Sequence, residues 1–218
     1  MSLHPTKLDH VALYVTDADA VATRILAQLP FRIIEETEEF VLIGRDPQFG
    51  KLTLFRADPP RERGVLRRVG IGIPCATVER SIEVGDDLSL ELVPGPPDGE
   101  VELAHLAVLT LDPASDARAW LDFGFEPAPR GLNGVPRVRV GDQHVELWAG
   151  SPEPTRRPLL NHVGLLVESL AEVVRAAEER GDDVSKLVDA ENSRALFLRG
   201  PVGVELEYIE HKPSFAYA

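Results

Sequence analysis

One strand-like pattern of apolar and polar residues occurs four times along the chain. The four stretches are LDHVALYV (8–15), LRRVGIGI (66–73), LAHLAVLT (103–110) and LLNHVGLLV (159–167). Each is a short run of branched apolar residues, which is typical of a buried β-strand. Repetition of this kind predicts a fold built from copies of one structural unit.

A helical segment follows three of these strands. In the fourth copy, Ser169 is suited to begin a helix and Gly181 to end it, and the apolar residues between them lie on one stripe. Asp112 with Pro113 gives the same signal in the third copy, and Asp17 or Asp19 gives it in the first. Short strands then lead to a closing strand in each copy, so the predicted unit is βαβββ. The closing strands are KLTLFRA (51–57), LSLELVP (88–94), HVELWAG (144–150) and VELEYIE (204–210).

The second copy is shorter than the other three, which predicts that it has lost its helix or one connecting strand. Proline and glycine cluster at 94–99 and again at 151–158. We interpret the first cluster as a boundary between two halves and the second as a linker between two units. The predicted fold class is therefore α+β, with units 1 and 2 in an N-terminal half (residues 1–97) and units 3 and 4 in a C-terminal half (residues 98–218).

Charge and composition narrow the classes of partner. The net charge of −13 argues against a nucleic acid or an anionic membrane as the main partner. The single cysteine, Cys75, cannot form an internal disulfide, and no apolar run is long enough to span a bilayer. These features predict a cytoplasmic protein whose partner is a small molecule, with a homodimer left open.

Two histidines and two glutamates in units 3 and 4 occupy matching places. His105 and His162 stand at the same position of the opening strands, and Glu146 and Glu207 stand in the closing strands. If the paired units are related by a pseudo-twofold axis, these side chains converge on one site that suits a divalent metal ion. A lone histidine in an apolar strand is more often an ordinary core residue, so the repetition carries this prediction.

Units 1 and 2 fail the same comparison. His10 is present, but Arg68 stands where unit 2 would need its histidine, and Leu54 stands in the place of the glutamate in unit 1. Only His10 and Glu91 remain of a four-residue set. We therefore predict that the N-terminal half is structural and inert.

The strand NHVGLLV (161–167) and the turn and strand GPVGVELEY (200–208) resemble the vicinal-oxygen-chelate superfamily. This superfamily includes glyoxalase I, methylmalonyl-CoA epimerase, extradiol dioxygenases and bleomycin-resistance proteins. The resemblance covers nearly the whole chain and implies curled half-barrels of mixed sheet, one of which holds a divalent metal on its concave face. A fold of this kind indicates a class of metal chemistry and not one reaction.

Within this superfamily, the resemblance to two-domain extradiol dioxygenases implies a ligand set of two histidines and one glutamate. In this sequence the set would be His105, His162 and Glu207, binding Fe(II) or Mn(II). His144 then matches the family's acid–base histidine. The family's tyrosine and second histidine of unit 4 are absent, and Phe197 stands near the tyrosine's place.

Two alternatives stay open from the sequence. In glyoxalase-like and epimerase-like relatives the closing strand of unit 3 supplies a fourth ligand, for which Glu146 is suited, and Zn(II) or Ni(II) would serve a lyase or isomerase. The other alternative is a resistance-type protein that binds a small molecule without catalysis. The choice between the two enzyme classes depends on whether Glu146 contacts the metal.

Overall fold

The four repeated segments form four structural units in the computed structural model, which describes residues 3–59, 61–213 and 215. Unit 1 contains β1 (Lys7–Val15), α1 (Ala18–Leu26), β2 (Arg32–Glu36), β3 (Phe40–Gly44) and β4 (Lys51–Arg56). Unit 2 contains β5 (Leu66–Pro74), β6 (Arg80–Gly85) and β7 (Leu88–Gly95). Unit 3 contains β8 (Glu102–Thr110), α2 (Pro113–Leu121), β9 (Glu126–Pro127), β10 (Arg137–Val140) and β11 (Gln143–Ala149). Unit 4 contains β12 (Leu160–Leu166), α3 (Leu170–Arg180), β13 (Val184–Asp189), β14 (Ser193–Arg199) and β15 (Glu205–His211).

The helices begin at the residues that the sequence indicates. The side chains of Asp17, Asp112 and Ser169 each accept a hydrogen bond from a backbone N–H in the first turn of α1, α2 and α3. Gly181 ends α3 in the left-handed conformation, with φ of 71°. Among its described residues, unit 2 has neither a helix nor a fourth strand, which accounts for its shorter length.

The strands form two open mixed sheets. The eight-stranded sheet has the order β13-β14-β15-β12-β1-β4-β3-β2, and the seven-stranded sheet has the order β6-β7-β5-β8-β11-β10-β9. The first sheet therefore combines units 1 and 4, and the second combines units 2 and 3. The opening strands meet at the centre of each sheet, where β1 pairs antiparallel with β12 and β5 pairs antiparallel with β8.

This pairing corrects the predicted division into halves at residues 1–97 and 98–218. The proline- and glycine-rich stretch at 94–99 does not separate two halves, because it joins β7 to β8 within one sheet. The connection between these strands is short, which favours placing units 2 and 3 side by side. The longer stretch at 151–158 instead carries the chain from one sheet to the other. The repeats themselves do not reveal their partners, because every unit presents the same strand pattern.

The two sheets share one hydrophobic core that includes buried residues from all four units. The backbone of the first sheet approaches the second closely at Gly50, where a Cβ atom would lie 2.6 Å from the Cβ of Leu103. Only glycine permits this approach. In the part of the chain that the structure describes, no helix has the length and apolar character needed to cross a membrane.

Candidate metal centre

Two histidines and a glutamate converge at the centre of the eight-stranded sheet. His10 lies on β1, His162 on the neighbouring β12 and Glu207 on β15, which pairs with β12 on its other side. All three are buried. Gly164 on β12 lies opposite His10 and beside Glu207, and a Cβ there would come within 2.3 Å of the His10 ring. The glycine is therefore what allows the His10 ring to lie over β12.

The three potential ligand atoms form a nearly equilateral triangle. The Nε2 atoms of His10 and His162 are 2.9 Å apart. Oε2 of Glu207 lies 3.0 Å from Nε2 of His10 and 2.9 Å from Nε2 of His162. Two ligands bound at right angles to one transition-metal ion are separated by about 2.9 Å, given metal–ligand bonds of about 2.0–2.1 Å. The triangle therefore matches one face of an octahedral coordination sphere.

The protonation of the three groups also fits a cation site. Burial disfavours the charged form of His10, but hydrogen bonds with Asp9 and Glu207 raise its pKa to about 9. Burial likewise disfavours ionisation of Glu207, but contacts with His10 and His162 lower its pKa to about 2. For His162, burial has the larger effect and lowers the pKa. The cluster thus holds an ionised carboxylate and stabilises a positive charge beside it, as a metal site does.

A second set of buried polar residues lies behind His10. Asp9 Oδ2 is 2.8 Å from Nδ1 of His10, so the other ring nitrogen, Nε2, is directed at the triangle. The second carboxylate oxygen of Asp9 accepts a hydrogen bond from Nζ of Lys51 at 2.8 Å. Nε2 of His211 lies 2.9 Å from the same oxygen. Burial opposes ionisation of Asp9, but Lys51, His10 and His211 together hold its pKa well below the usual range.

A cavity of about 430 Å³ opens above the triangle. Its walls are mainly apolar and include four phenylalanines, namely Phe40, Phe55, Phe197 and Phe215. The rings of Phe55 and Phe197 lie 6.1 Å and 5.3 Å from the His162 ring, between centroids. The space next to the candidate metal position is thus shaped by aromatic rings.

Thr53 stands at the position where a closing strand could supply a fourth metal ligand. Thr53 lies on β4, the closing strand of unit 1, and its side chain lines the cavity. The register of β4 beside β1 places Lys51 next to His10 and Thr53 next to Ala12. In the other sheet, the register of β11 beside β8 gives Glu146 the place that corresponds to Thr53. The described site therefore offers two imidazoles and one carboxylate, without a second carboxylate from the closing strand.

The structure brings two of the three predicted metal ligands together and separates the third from them. His162 and Glu207 lie together, but their partner is His10 and not His105, which lies on β8 of the seven-stranded sheet. The predicted grouping of His105 with His162 and Glu207 differs from this arrangement because it paired unit 4 with unit 3. The same pairing assigned His10 to an inert half. The sequence did contain the signal, since His10 matches His105 and His162 in its position within the opening strand.

The seven-stranded sheet contains the equivalent backbone positions, but some of them carry different side chains. Arg68 pairs with Ala107, as His162 pairs with Ala12 in the first sheet. Gly70 pairs with His105, as Gly164 pairs with His10. Glu91 lies beside Gly70, as Glu207 lies beside Gly164.

The guanidinium of Arg68 forms an ion pair with Glu91, and Nε2 of His105 lies 3.2 Å from the second carboxylate oxygen. Among the described residues, a guanidinium group thus stands where the first sheet has its second imidazole.

The predicted catalytic residues also belong to this second sheet. The His144 ring is stacked on that of His105, with 5.2 Å between centroids. Glu146 forms an ion pair with Arg137 and accepts a hydrogen bond of 2.9 Å from the indole of Trp148. Burial opposes ionisation of Glu146, but its contacts with His144, Trp148 and Arg137 hold its pKa well below the usual range. His144 and Glu146 are therefore members of a separate polar network and are not neighbours of the triangle.

Three further polar residues of the site were missed by the sequence analysis. Asp9 and Lys51 are fully buried, and His211 is largely buried beside them. In the sequence each looks like a solvent-exposed polar residue, because its sequence neighbours do not show that the three side chains lie together in the fold. A charged residue directly before His10 was the one available signal.

Comparison with solved structures establishes the fold. A "putative dioxygenase" from Bacillus subtilis aligns with 99% of this chain and 88% of its own, with a TM-score of 0.76 and 15% sequence identity. Glyoxalase I from Zea mays aligns with 94% of this chain and 92% of its own, with a TM-score of 0.73 and 13% identity. The cppA protein from Streptococcus pneumoniae aligns with 95% of this chain and 98% of its own, with a TM-score of 0.62 and 12% identity.

These similarities confirm the predicted α+β fold class and show that the chain is similar in fold to glyoxalase I and to the Bacillus subtilis protein. No protein-family model matches the chain, and no curated protein matches it.

Proposed function

We propose that this protein is a divalent-metal-dependent enzyme of the vicinal-oxygen-chelate type and that its reaction is most like that of an extradiol ring-cleaving dioxygenase. The observation that carries the proposal is the triangle of His10, His162 and Glu207, with Thr53 at the position where a fourth ligand could lie. These two histidines and one carboxylate would hold the ion with three protein ligands and would leave it accessible to substrate and oxygen. We favour Fe(II) or Mn(II) for this site.

The absence of a carboxylate at Thr53 favours this reaction over that of a lyase or isomerase. The sequence comparison implied that glyoxalase-like relatives take a fourth ligand from the closing strand. In this chain the residue suited to that role, Glu146, lies in the other sheet. A site with three protein ligands supports an oxygen-dependent reaction better than a site designed around four.

We propose an aromatic molecule with two adjacent oxygen atoms as the substrate. When bound, the metal would polarise and orient such oxygens. The phenylalanine side chains, notably Phe55 and Phe197, would hold a flat ring by apolar contact and exclude water from the reacting atoms. Asp9 would hold His10 in the orientation that directs Nε2 to the ion.

Proton transfer needs a group other than the predicted His144. Among the described residues that line the cavity, His211 is the histidine outside the triangle. We propose that His211, which lines the cavity, accepts a proton from the substrate at Nδ1, because Nε2 lies 2.9 Å from the Asp9 carboxylate and carries its own proton there. Substitution of His211 by Gln should then lower kcat while leaving metal content unchanged.

The test is an oxygen-uptake assay on protein reconstituted with Fe(II) or Mn(II) under anaerobic conditions. The proposal predicts that a simple aromatic vicinal diol is consumed together with an equal amount of oxygen. His162→Ala should abolish the reaction, whereas His105→Ala, the matched change in the other sheet, should retain it. If the loaded protein consumes no oxygen with any aromatic diol but isomerises a 2-oxoaldehyde thiol adduct, the proposed reaction is wrong and the lyase or isomerase alternative holds.

A further inference from the structure

The buried pair formed by Asp9 and Lys51 stands out among the polar groups around the metal centre. The side chains are 2% and 1% exposed, respectively. A carboxylate and an ammonium group inside a protein are costly to desolvate unless they are paired and fully hydrogen-bonded. This pair adds no ligand atom to the triangle of His10, His162 and Glu207, so its presence calls for another explanation.

Every strong hydrogen-bonding atom of the pair has a partner. Nζ of Lys51 donates to Asp9 Oδ1 at 2.8 Å, to the carbonyl oxygen of Pro47 at 2.7 Å and to that of Phe49 at 3.3 Å. This leaves Oδ2 of Asp9 to accept the hydrogen bond from Nδ1 of His10 at 2.8 Å. The ammonium group thereby fixes the carboxylate, and the carboxylate fixes the imidazole.

The internal repeat provides a comparison within the same chain. In the seven-stranded sheet the residue before the equivalent histidine, His105, is Ala104. Lys51 on β4 pairs with His10, and the corresponding residue on β11, which pairs with His105, is His144. The seven-stranded sheet, which has Arg68 in place of the second histidine, therefore has neither the aspartate nor the lysine at the equivalent positions. The Asp9–Lys51 pair accompanies the convergent ligand set and is not a general feature of the repeated unit.

From these contacts we propose that Asp9 is a positioning residue for the metal ligand His10 and that Lys51 is the fixed counter-charge that lets a buried carboxylate take this role. The inference rests on the proposed metal-dependent function. Asp9 holds the His10 proton on Nδ1, so Nε2 presents its lone pair to the ion. Lys51 offsets the negative charge of Asp9 and holds its other oxygen, Oδ1, at 2.8 Å, so that the carboxylate stays fixed behind His10. Loss of a hydrogen-bond partner behind a metal-bound histidine weakens metal binding by about 10–100-fold.

The experiment measures the Zn²⁺ dissociation constant by competition with a chromogenic chelator for the wild type and four variants. These are Asp9→Asn, Lys51→Met, the double variant and Glu91→Gln. In Asp9→Asn one oxygen must serve Lys51, His10 and His211, and we expect Zn²⁺ affinity to fall by about 10–100-fold. Because Lys51 acts through Asp9, the double variant should bind Zn²⁺ as Asp9→Asn does. Glu91→Gln breaks a carboxylate–histidine pair in the other sheet and should bind as the wild type does.

A spectroscopic readout separates positioning from general damage to the fold. Co²⁺ bound at saturation should show shifted ligand-field absorption in Asp9→Asn and an unchanged spectrum in Glu91→Gln. If Asp9→Asn binds Zn²⁺ as tightly as the wild type, with the same Co²⁺ spectrum, the inference is wrong while the proposed function stands. A wild type that binds no divalent metal would overturn both.

A second measurement applies if Asp9→Asn does not fold. Nuclear magnetic resonance of ¹⁵N-histidine-labelled wild type loaded with Zn²⁺ reports which ring nitrogen of His10 carries the proton. The inference predicts a protonated Nδ1 that exchanges slowly with solvent, because Asp9 covers it. A His10 ring that carries no proton on Nδ1 would contradict it.

Discussion

A single substitution in the seven-stranded sheet should create a second metal site. Arg68 occupies the position equivalent to His162, and its neighbours Glu91 and His105 are equivalent to Glu207 and His10. The glycine that makes room for the histidine ring is also repeated, since a Cβ at Gly70 would lie 2.1 Å from the His105 ring. Arg68→His therefore completes the same set of three ligands in the same register.

The structure gives the expected size of the effect on stability. The side chains of Arg68 and Glu91 are 25% and 18% exposed, so breaking their ion pair should cost about 1–3 kcal/mol in the metal-free variant. A ligand present at 100 times its dissociation constant stabilises the folded state by about 2.7 kcal/mol per site. At such a Zn²⁺ concentration the variant should gain about 5.4 kcal/mol from two sites, against about 2.7 kcal/mol for the wild type.

The assay is metal stoichiometry by elemental analysis after equilibrium dialysis, together with denaturant unfolding with and without Zn²⁺. We expect one Zn²⁺ per wild-type chain and two per Arg68→His chain. Arg68→Gln, which removes the guanidinium without adding a ligand, should lose similar stability and bind one ion. Arg68→His combined with Glu91→Gln should also bind one. An Arg68→His variant that folds and still binds a single ion would refute the equivalence of the two sites.

Two further predictions concern the site in the eight-stranded sheet. Gly164→Ala should weaken Zn²⁺ binding by at least about tenfold, because the new Cβ would lie 2.3 Å from the His10 ring and displace a ligand. Gly72→Ala is the control, since its nearest contact would be an ordinary 3.6 Å, and equal Zn²⁺ affinity of the two variants would contradict the prediction.

Zn²⁺ affinity should also rise by about tenfold per pH unit from neutral pH towards pH 9, because the ion must displace the proton that the raised pKa of His10, about 9, retains. Calorimetric titration in two buffers with different ionisation enthalpies should show proton release at pH 7.5, and a buffer-independent enthalpy would refute it.

Strand repetition and helix caps are local properties, and for this reason the sequence predicted them well. The apolar runs that open each unit, and the capping residues Asp112 and Ser169, determine local structure through their nearest neighbours alone. The short length of unit 2 likewise predicted the loss of its helix or of one connecting strand, and its described residues lack both. These features sufficed to predict the α+β fold class and the position of His162 and Glu207 on strands that face a common site.

The pairing of the units is a long-range property, and the sequence did not reveal it. Each opening strand presents nearly the same apolar face, so β12 could pair with β1 or with β8 without any change in its own pattern. That choice decides whether His10 or His105 joins His162. The length of the connections between units carried the missing information, because the short turn after β7 holds units 2 and 3 in one sheet.

The Asp9–Lys51 pair was invisible for a related reason. Asp9 and Lys51 are far apart in the sequence, and only the parallel pairing of β1 with β4 brings them together. A single acidic or basic residue next to an apolar strand is usually solvated, and its burial depends on the partner that the fold supplies. Prediction of the groups behind the ligands thus required the sheet order first.

The most direct test of the account is the metal content of two single variants, His10→Ala and His105→Ala, purified without affinity metal and dialysed against equal Fe(II) or Zn²⁺. If the ion is held between β1, β12 and β15, His10→Ala retains almost none of it and His105→Ala retains the full wild-type amount. The reverse pattern, an empty His105→Ala beside a fully loaded His10→Ala, would place the metal in the other sheet and contradict the account.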